Sequence, residues 1–458
     1  MKNTIIRCIC IVIAICTISG SVACSAEPAN GAPKNVILLI GDGMGMGQME
    51  IASVFEHGKS GGLFLQSLPY TALVKTYSAN NNVTDSAAGG TAIAIGKKTN
   101  NGMIGLTPDG KEHPSILDVF KENGSKTGIV TTNSVTDATP ASFTASVKDR
   151  WADQEEIAKQ QLKNQIDVIM GGGSMYFGKD EALVRKYKDL GYSIATTNEE
   201  LAKMKGSKLL GLFASKHLSY KQDREELKSK EPTLSEMTNK TLETLAKGDK
   251  GFFAVIEGAR IDHAAHSADL TGIWKETVEF DEAVKYCVEW AQKRNDTLVL
   301  VAADHETMGL SLTEPLDIKG LKNISISPEL MAQKLQKDEK TGTYTKESIL
   351  FVFQTYAHIT LTEEQLADFN KKIKKDNGKL YPEQKVGREI GRMIASHFHA
   401  GLMDRPTQQL SSTTGGHTGN MIALFAVGKG AEEFHGVIEN TDIPKIIAKL
   451  KGYDFVSK

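Results

Sequence analysis

Six runs of continuous apolar residues, each four to eight residues long, constrain this chain most. They fall at 34–40, 127–131, 167–170, 252–257, 297–302 and 421–427. A strand with one wet face alternates apolar and polar residues; a continuous run is that of a strand buried on both faces. Between the runs lie amphipathic, helix-period stretches at 116–123, 153–164, 234–246, 274–293 and 443–450. The alternation predicts an α/β fold: a doubly wound, largely parallel central sheet with helices on both faces. In such sheets ligands bind beyond the carboxyl ends of the strands.

The rhythm breaks between 312 and 410. There the chain is rich in Lys, Glu and Gln, with helical stretches at 328–335, 362–375 and 383–397. This predicts a core made of 34–311 and 411–458, with 312–410 as an inserted, mostly helical segment acting as a cap or interface element. His397 and His399 lie within it; two histidines without a third ligand make a poor metal site.

The amino terminus reads as a secretion signal over 1–23. Lys2 and Arg7 precede an apolar core at 8–18 that is short for a membrane span. Ser21-Val22-Ala23-Cys24 resembles a bacterial lipoprotein box with serine in place of the usual leucine. Cleavage at Cys24 with lipidation is favoured over simple cleavage after Ala23 or Ala26. The mature chain is therefore expected outside the cytoplasmic membrane, periplasmic or as an outer-membrane lipoprotein tethered through Cys24. Of five cysteines, Cys8, Cys10 and Cys16 leave with the signal and Cys24 is cleaved or lipidated, so Cys287 stands alone. Without an internal disulfide, the roughly 435 remaining residues must be held by their core, and they suffice to bury one. The net charge of −2, with no basic patch, gives no reason to expect a nucleic-acid partner.

Polar residues cluster at or near the strand ends. The first strand runs into Gly41-Asp42-Gly43-Met44-Gly45, an acidic residue among glycines that let backbone and ions approach. Its spacing matches neither a dinucleotide fingerprint nor a P-loop. Val83-Thr84-Asp85-Ser86 precedes a run of small helix-forming residues. Asp85 or Ser86 is an N-cap there, and the same helix start suits a phosphate or a serine nucleophile. Asp137 and Thr139 follow a strand and offer hard oxygen ligands of the kind magnesium takes. Arg150 has the planar fork that grips two phosphate oxygens. Glu257 ends a strand, and Asp262 and His266, four apart, share a helix face as half of a zinc site. Asp304 and His305 follow another strand, and His417 lies in a glycine-rich loop. These ligands exceed the needs of one ion; two zincs and a harder third ion would account for them.

The motifs Asp42-Gly43-Met44-Gly45, Thr84-Asp85-Ser86-Ala87-Ala88, Asp137-Ala138-Thr139-Pro140-Ala141, Glu257 to His266, Ala303-Asp304-His305-Glu306 and His417-Thr418-Gly419 occur in the order of the alkaline phosphatase family, which the chain closely resembles from about residue 34 to its end. The resemblance implies hydrolysis of phosphate monoesters, with release of inorganic phosphate through a phosphoserine at Ser86. It implies two zinc ions and one magnesium per chain. Asp262, His266 and His417 would hold the first zinc, and Asp42, Asp304 and His305 the second. Asp42 would bridge to magnesium held by Thr139 and Glu257, with Asp137 close by. Arg150 would bind the phosphate. His263 would stand beside phosphate and magnesium, where some bacterial members carry lysine and animal members histidine. Asp137 follows the bacterial pattern. The inserted segment stands where some members carry a crown-like domain, and a homodimer is expected on that likeness. Phosphodiesterases and sulfatases of the same superfamily are the nearest alternatives; they usually lack the third metal site and the arginine. A secreted phosphate- or metal-binding protein without turnover would not need Ser86.

Overall fold

The computed structural model describes residues 31–455 except 179–181, 315 and 376. The expected signal segment 1–23 and the lipid attachment at Cys24 lie outside the described residues. Among those described, no helix is long and apolar enough to cross a membrane.

The sheet is built from β1 (Asn35–Gly41), β2 (Tyr70–Lys75), β3 (Lys126–Ser134), β4 (Val168–Gly172), β5 (Ser193–Ala195), β6 (Leu209–Leu212), β7 (Phe252–Gly258) and β8 (Thr297–Ala302). A short pair follows, β9 (Glu306–Thr307) and β10 (His417–Thr418), and then β11 (Ile422–Gly428) and β12 (Gly436–Glu439). Ten strands form one sheet in the order β12-β2-β11-β8-β1-β7-β3-β4-β6-β5, while β9 and β10 pair separately. Only β11 runs against its neighbours, antiparallel to both β2 and β8. The fold is thus the expected doubly wound, mostly parallel sheet. All residues of β1, β7 and β8 are buried, which is why their sequences lack alternation.

Register places the chemistry. Ile40 of β1 lies opposite Glu257 of β7 and Ala302 of β8, and Glu257 lies opposite Thr131 of β3. The strands β1, β7 and β8 therefore end within one residue of each other while β3 runs on to Ser134, and the residues that follow them, from Asp42 to Asp304, emerge at one edge.

The segment 312–410 forms helices Ile318–Lys322, Pro328–Gln333, Lys346–Ala357, Glu363–Lys372 and Glu383–His397. The last is capped by nothing in its own sequence, but Ser327, Thr345 and Thr362 each cap the helix that follows them. These helices share an apolar core with helix Met46–His57 and helix Leu270–Gln292. In it Met331, Phe353, Phe369 and Ile390 pack with Ile51, Phe55, Ile273 and Trp274. Asp223 ties the two parts together, accepting from both the backbone N–H and the hydroxyl of Ser327 at 2.6 Å. His397 packs edge-on against Phe398, and His399 is exposed. Among the described residues, neither belongs to a group of three or more metal-binding side chains.

Candidate active site

Ser86 is the first residue of helix Ser86–Ile95, and Asp85 is its N-cap. One oxygen of Asp85 accepts from Ala88 N at 2.9 Å, the other from Gly102 N at 3.0 Å. The cap is thus Asp85, and Ser86 is left for other work. Its Oγ lies 3.2 Å from His305 Nε2. The helix carries Gly89 because a Cβ there would stand 3.0 Å from the Asp304 carbonyl oxygen. A bulkier residue would push the serine-bearing helix away from the Asp304–His305 loop.

Two groups of three ligands flank this serine, all buried except the half-buried His266. In the first, Asp262 Oδ2 lies 3.3 Å from His266 Nε2, and the Nε2 atoms of His266 and His417 are 3.1 Å apart. His266 Nδ1 is 2.9 Å from the Gly415 carbonyl, and His417 Nδ1 is 2.9 Å from the Thr84 carbonyl. A carbonyl can only accept, so both rings carry a proton on Nδ1, and in the neutral form each turns an Nε2 lone pair inward. Two lone pairs and a carboxylate converging on one point repel each other; a cation between them removes the conflict.

The second group is Asp42, Asp304 and His305, whose ligand atoms, like those of the first group, all lie within 4.8 Å of one another. Asp304 Oδ1 accepts from the N–H of Gly43 and of His305, while Asp304 Oδ2 and Asp42 Oδ1 are buried without a hydrogen-bond partner. Such orphaned carboxylate oxygens fit a metal ligand set. Burial, then the charge of Asp262, pushes Asp304 up to about 7. Burial and the charge of Asp304 raise Asp42 as well. Burial, then His417 stacked at 3.6 Å, holds His305 well below the usual histidine value. Thr307 joins the groups. Its hydroxyl donates to Asp262 Oδ1 at 2.6 Å and lies 3.2 Å from His305 Nδ1, from which it can accept.

Glu257 accepts from Thr131 and sits by the buried Thr139, the second residue of helix Ala138–Ser142. Burial pushes Glu257 up to about 8. Asp137 is engaged elsewhere. It caps that short helix through Ala138 N and takes a 2.7 Å hydrogen bond from Arg150 Nη2. Arg150 also lies 3.5 Å from Asp85 Oδ2, so its fork is braced between two carboxylates. His263 Nδ1 is 2.7 Å from Arg260 Nη1, which can only donate; the ring proton therefore sits on Nε2. Burial, then Arg260, lowers His263 to about 4, which leaves the ring neutral.

Ser86, Asp137, Arg150, His263, His266 and His417 line a common cleft of about 600 Å³. A larger cavity, about 800 Å³, lies near Glu112 and Lys159, and none of these candidate residues lines it. The sequence reading passed over Thr307, two residues beyond His305, and Arg260, inside the Glu257–His266 motif. It also passed over Arg388, which the inserted segment brings to the cleft wall.

A doubly wound sheet with a helix-borne serine between two metal-ligand groups, and a braced arginine beside it, defines a metal-dependent hydrolase of phosphate esters. The comparisons agree. The family model described as alkaline phosphatase matches residues 33–453. Alkaline phosphatase 4 of Bacillus subtilis is 34% identical over 430 residues, covering 91% of this chain and 88% of the relative. The crystal structure of Thermus thermophilus alkaline phosphatase superposes with a TM-score of 0.79 at 26% identity, covering 96% of each chain. A variant of TAB5 alkaline phosphatase with magnesium bound gives a TM-score of 0.65 at 29% identity, covering 93% of this chain and 99% of that one. The chain belongs to the alkaline phosphatase family. It is accordingly an enzyme, a metal-dependent phosphomonoester hydrolase.

Proposed function

We propose that this chain hydrolyses phosphate monoesters through a phosphoserine at Ser86. In this reading Asp262, His266 and His417 hold one zinc, and Asp42, Asp304 and His305 a second. Thr139 and Glu257 hold a magnesium with Asp42, and Asp137 stands nearby. The ions, when bound, supply Lewis acidity that lowers the serine pKa and stabilises the departing oxygen. The observation that carries the reading is Ser86 Oγ at 3.2 Å from a histidine of one ligand group, at a helix start.

The protein's own groups do the rest. Ser86 Oγ gives its proton to solvent and forms a bond to phosphorus as the bond to the leaving alcohol breaks, and the departing oxygen takes a proton from solvent. Water then forms the next bond to phosphorus and gives up a proton, the bond to Ser86 breaks with a proton returned to Oγ, and inorganic phosphate leaves. Arg150, held by Asp85 and Asp137, presents its fork to the non-bridging oxygens. The N–H groups opening helix Ser86–Ile95 add their dipole to the same charge. Nothing in this set grips the alcohol, which supports a broad range of monoesters.

A labelled phosphomonoester quenched at low pH should leave its label on Ser86. Ser86→Ala should cost about a thousandfold or more in turnover while metal content stays. Label on another residue would overturn the assignment. The amino-terminal pattern supports export with Cys24 as a lipid tether, which the mass of the mature amino terminus tests. The likeness to the crown-bearing members supports a homodimer, which sedimentation tests.

A further inference from the structure

Most of the buried cations near Ser86 are engaged. Arg150 is paired with Asp137 at 2.7 Å, and Arg260 stacks on Tyr220 at 3.5 Å from the ring centroid and lies 3.5 Å from Glu329. Arg388 differs. It sits on helix Glu383–His397 of the inserted segment and lines the cleft that holds Ser86. It also lines a recess of about 150 Å³ that opens beside His263 and His266. Among the described residues its guanidinium makes no hydrogen bond or ion pair, and its Nε is buried without a partner. The acids that feel its charge are committed: Asp262 to the first ligand group, and Glu329 to Arg260. A half-buried guanidinium with donors unmet lacks an acceptor.

We propose that Arg388, with Gln384 one turn before it on the same helix, is a second anion subsite that receives a negative group on the leaving alcohol. The reading rests on the phosphomonoesterase function proposed above. The transferred phosphoryl group has its own arginine, Arg150, on a different element. An anion that reaches Arg388 at the same time therefore belongs to the rest of the substrate. The guanidinium fork accepts a carboxylate or a second phosphate bidentately. The favoured substrates are then phosphate monoesters whose alcohol bears another anionic group.

The test is a ladder of ω-carboxyalkyl phosphates of increasing length, each compared with its uncharged methyl ester and with p-nitrophenyl phosphate. The wild-type enzyme should prefer the carboxylate over its methyl ester by about tenfold in kcat/KM at one spacer length, chiefly through KM. Arg388→Gln should abolish that preference, and Arg388→Lys should keep part of it, since charge survives and the fork does not. The inhibition constant of a phosphonate carrying a matched carboxylate should weaken in the same order. No preference at any length, or an equal fall of charged and uncharged esters in Arg388→Gln, would overturn the subsite. A wild-type protein that cleaves none of the esters, p-nitrophenyl phosphate included, would overturn the proposed function and the subsite with it.

Discussion

Replacing Gly391 by alanine should destabilise this enzyme, although alanine is the better helix former. Gly391 lies on helix Glu383–His397, where a Cβ would stand 1.8 Å from the carbonyl oxygen of Ser267. Carbon and carbonyl oxygen rest no closer than about 3.3 Å, so the helix must retreat by about 1.5 Å or the Ser267 turn must give way. Gly→Ala in a helix interior gains about 1 kcal/mol, while overpacking of this kind costs roughly 1–3 kcal/mol. The 1.8 Å approach to a backbone atom lies at the severe end of that range, so a net loss of up to about 2 kcal/mol is expected. Ser267 directly follows His266, so the strain reaches the first ligand group. Urea unfolding of the holoenzyme, zinc retention against a chelator and kcat/KM measure the three consequences. Gly387→Ala should be milder, because there the nearest atom, Glu329 Cα, is 3.1 Å away. A Gly391→Ala protein as stable as wild type, with equal zinc retention, would refute this account of the packing.

Removing one ligand should be visible as metal loss: His417→Ala or His266→Ala should retain fewer than two zinc ions per chain by elemental analysis, because each takes one of three donors from a site. His263→Lys should set a second cation beside the Arg260 guanidinium that now donates to His263 at 2.7 Å. Phosphate inhibition should tighten and turnover at pH 8 to 10 should slow, and identical curves for both proteins would show that residue 263 does not reach the phosphate. Asp223 supplies a pH dependence outside the site. Burial pushes it up to about 6 despite the bonds from Ser327. An unfolded aspartate titrates near 4, so folding takes up a proton between about pH 4 and 6, and stability falls as pH rises through that window. Asp223→Asn cannot follow, so the stability of wild type relative to the variant should drop by about 2 kcal/mol between pH 4 and 7, and a flat difference would count against the burial argument.

The central strands were legible because continuous apolar runs have few other uses, and five of the six runs became strands of the parallel set. The sixth, β11, is as apolar as the others yet runs antiparallel, since hydropathy carries no sign of strand direction. The flanking β2 alternates in burial, and β5 is three residues long, so neither gave a continuous signal. At the site, the ligands stood out because carboxylate and imidazole at strand ends are chemically conspicuous. Whether Asp85 or Ser86 caps the helix was decided only by the Ala88 and Gly102 amides. Thr307 and Arg388 were invisible for a different reason. A threonine that relays between two ligand groups, and an arginine brought in by a distant helix, owe their roles to tertiary approach rather than to local pattern.

The spacing of the ligands along the chain has a bearing on biogenesis. Asp42 is made early, and Asp262, His266, Asp304 and His305 follow in the middle, but the first group stays one donor short until the strand pair β9–β10 sets His417 in place. That pairing waits for nearly the whole polypeptide, inserted helices included. A nascent or truncated chain therefore offers only a two-donor fragment at that position, too weak to hold an ion and unable to complete the cleft around Ser86. Loading of the first group becomes a late event that reports completion of the fold, although the donors of the second group are all present once His305 is made.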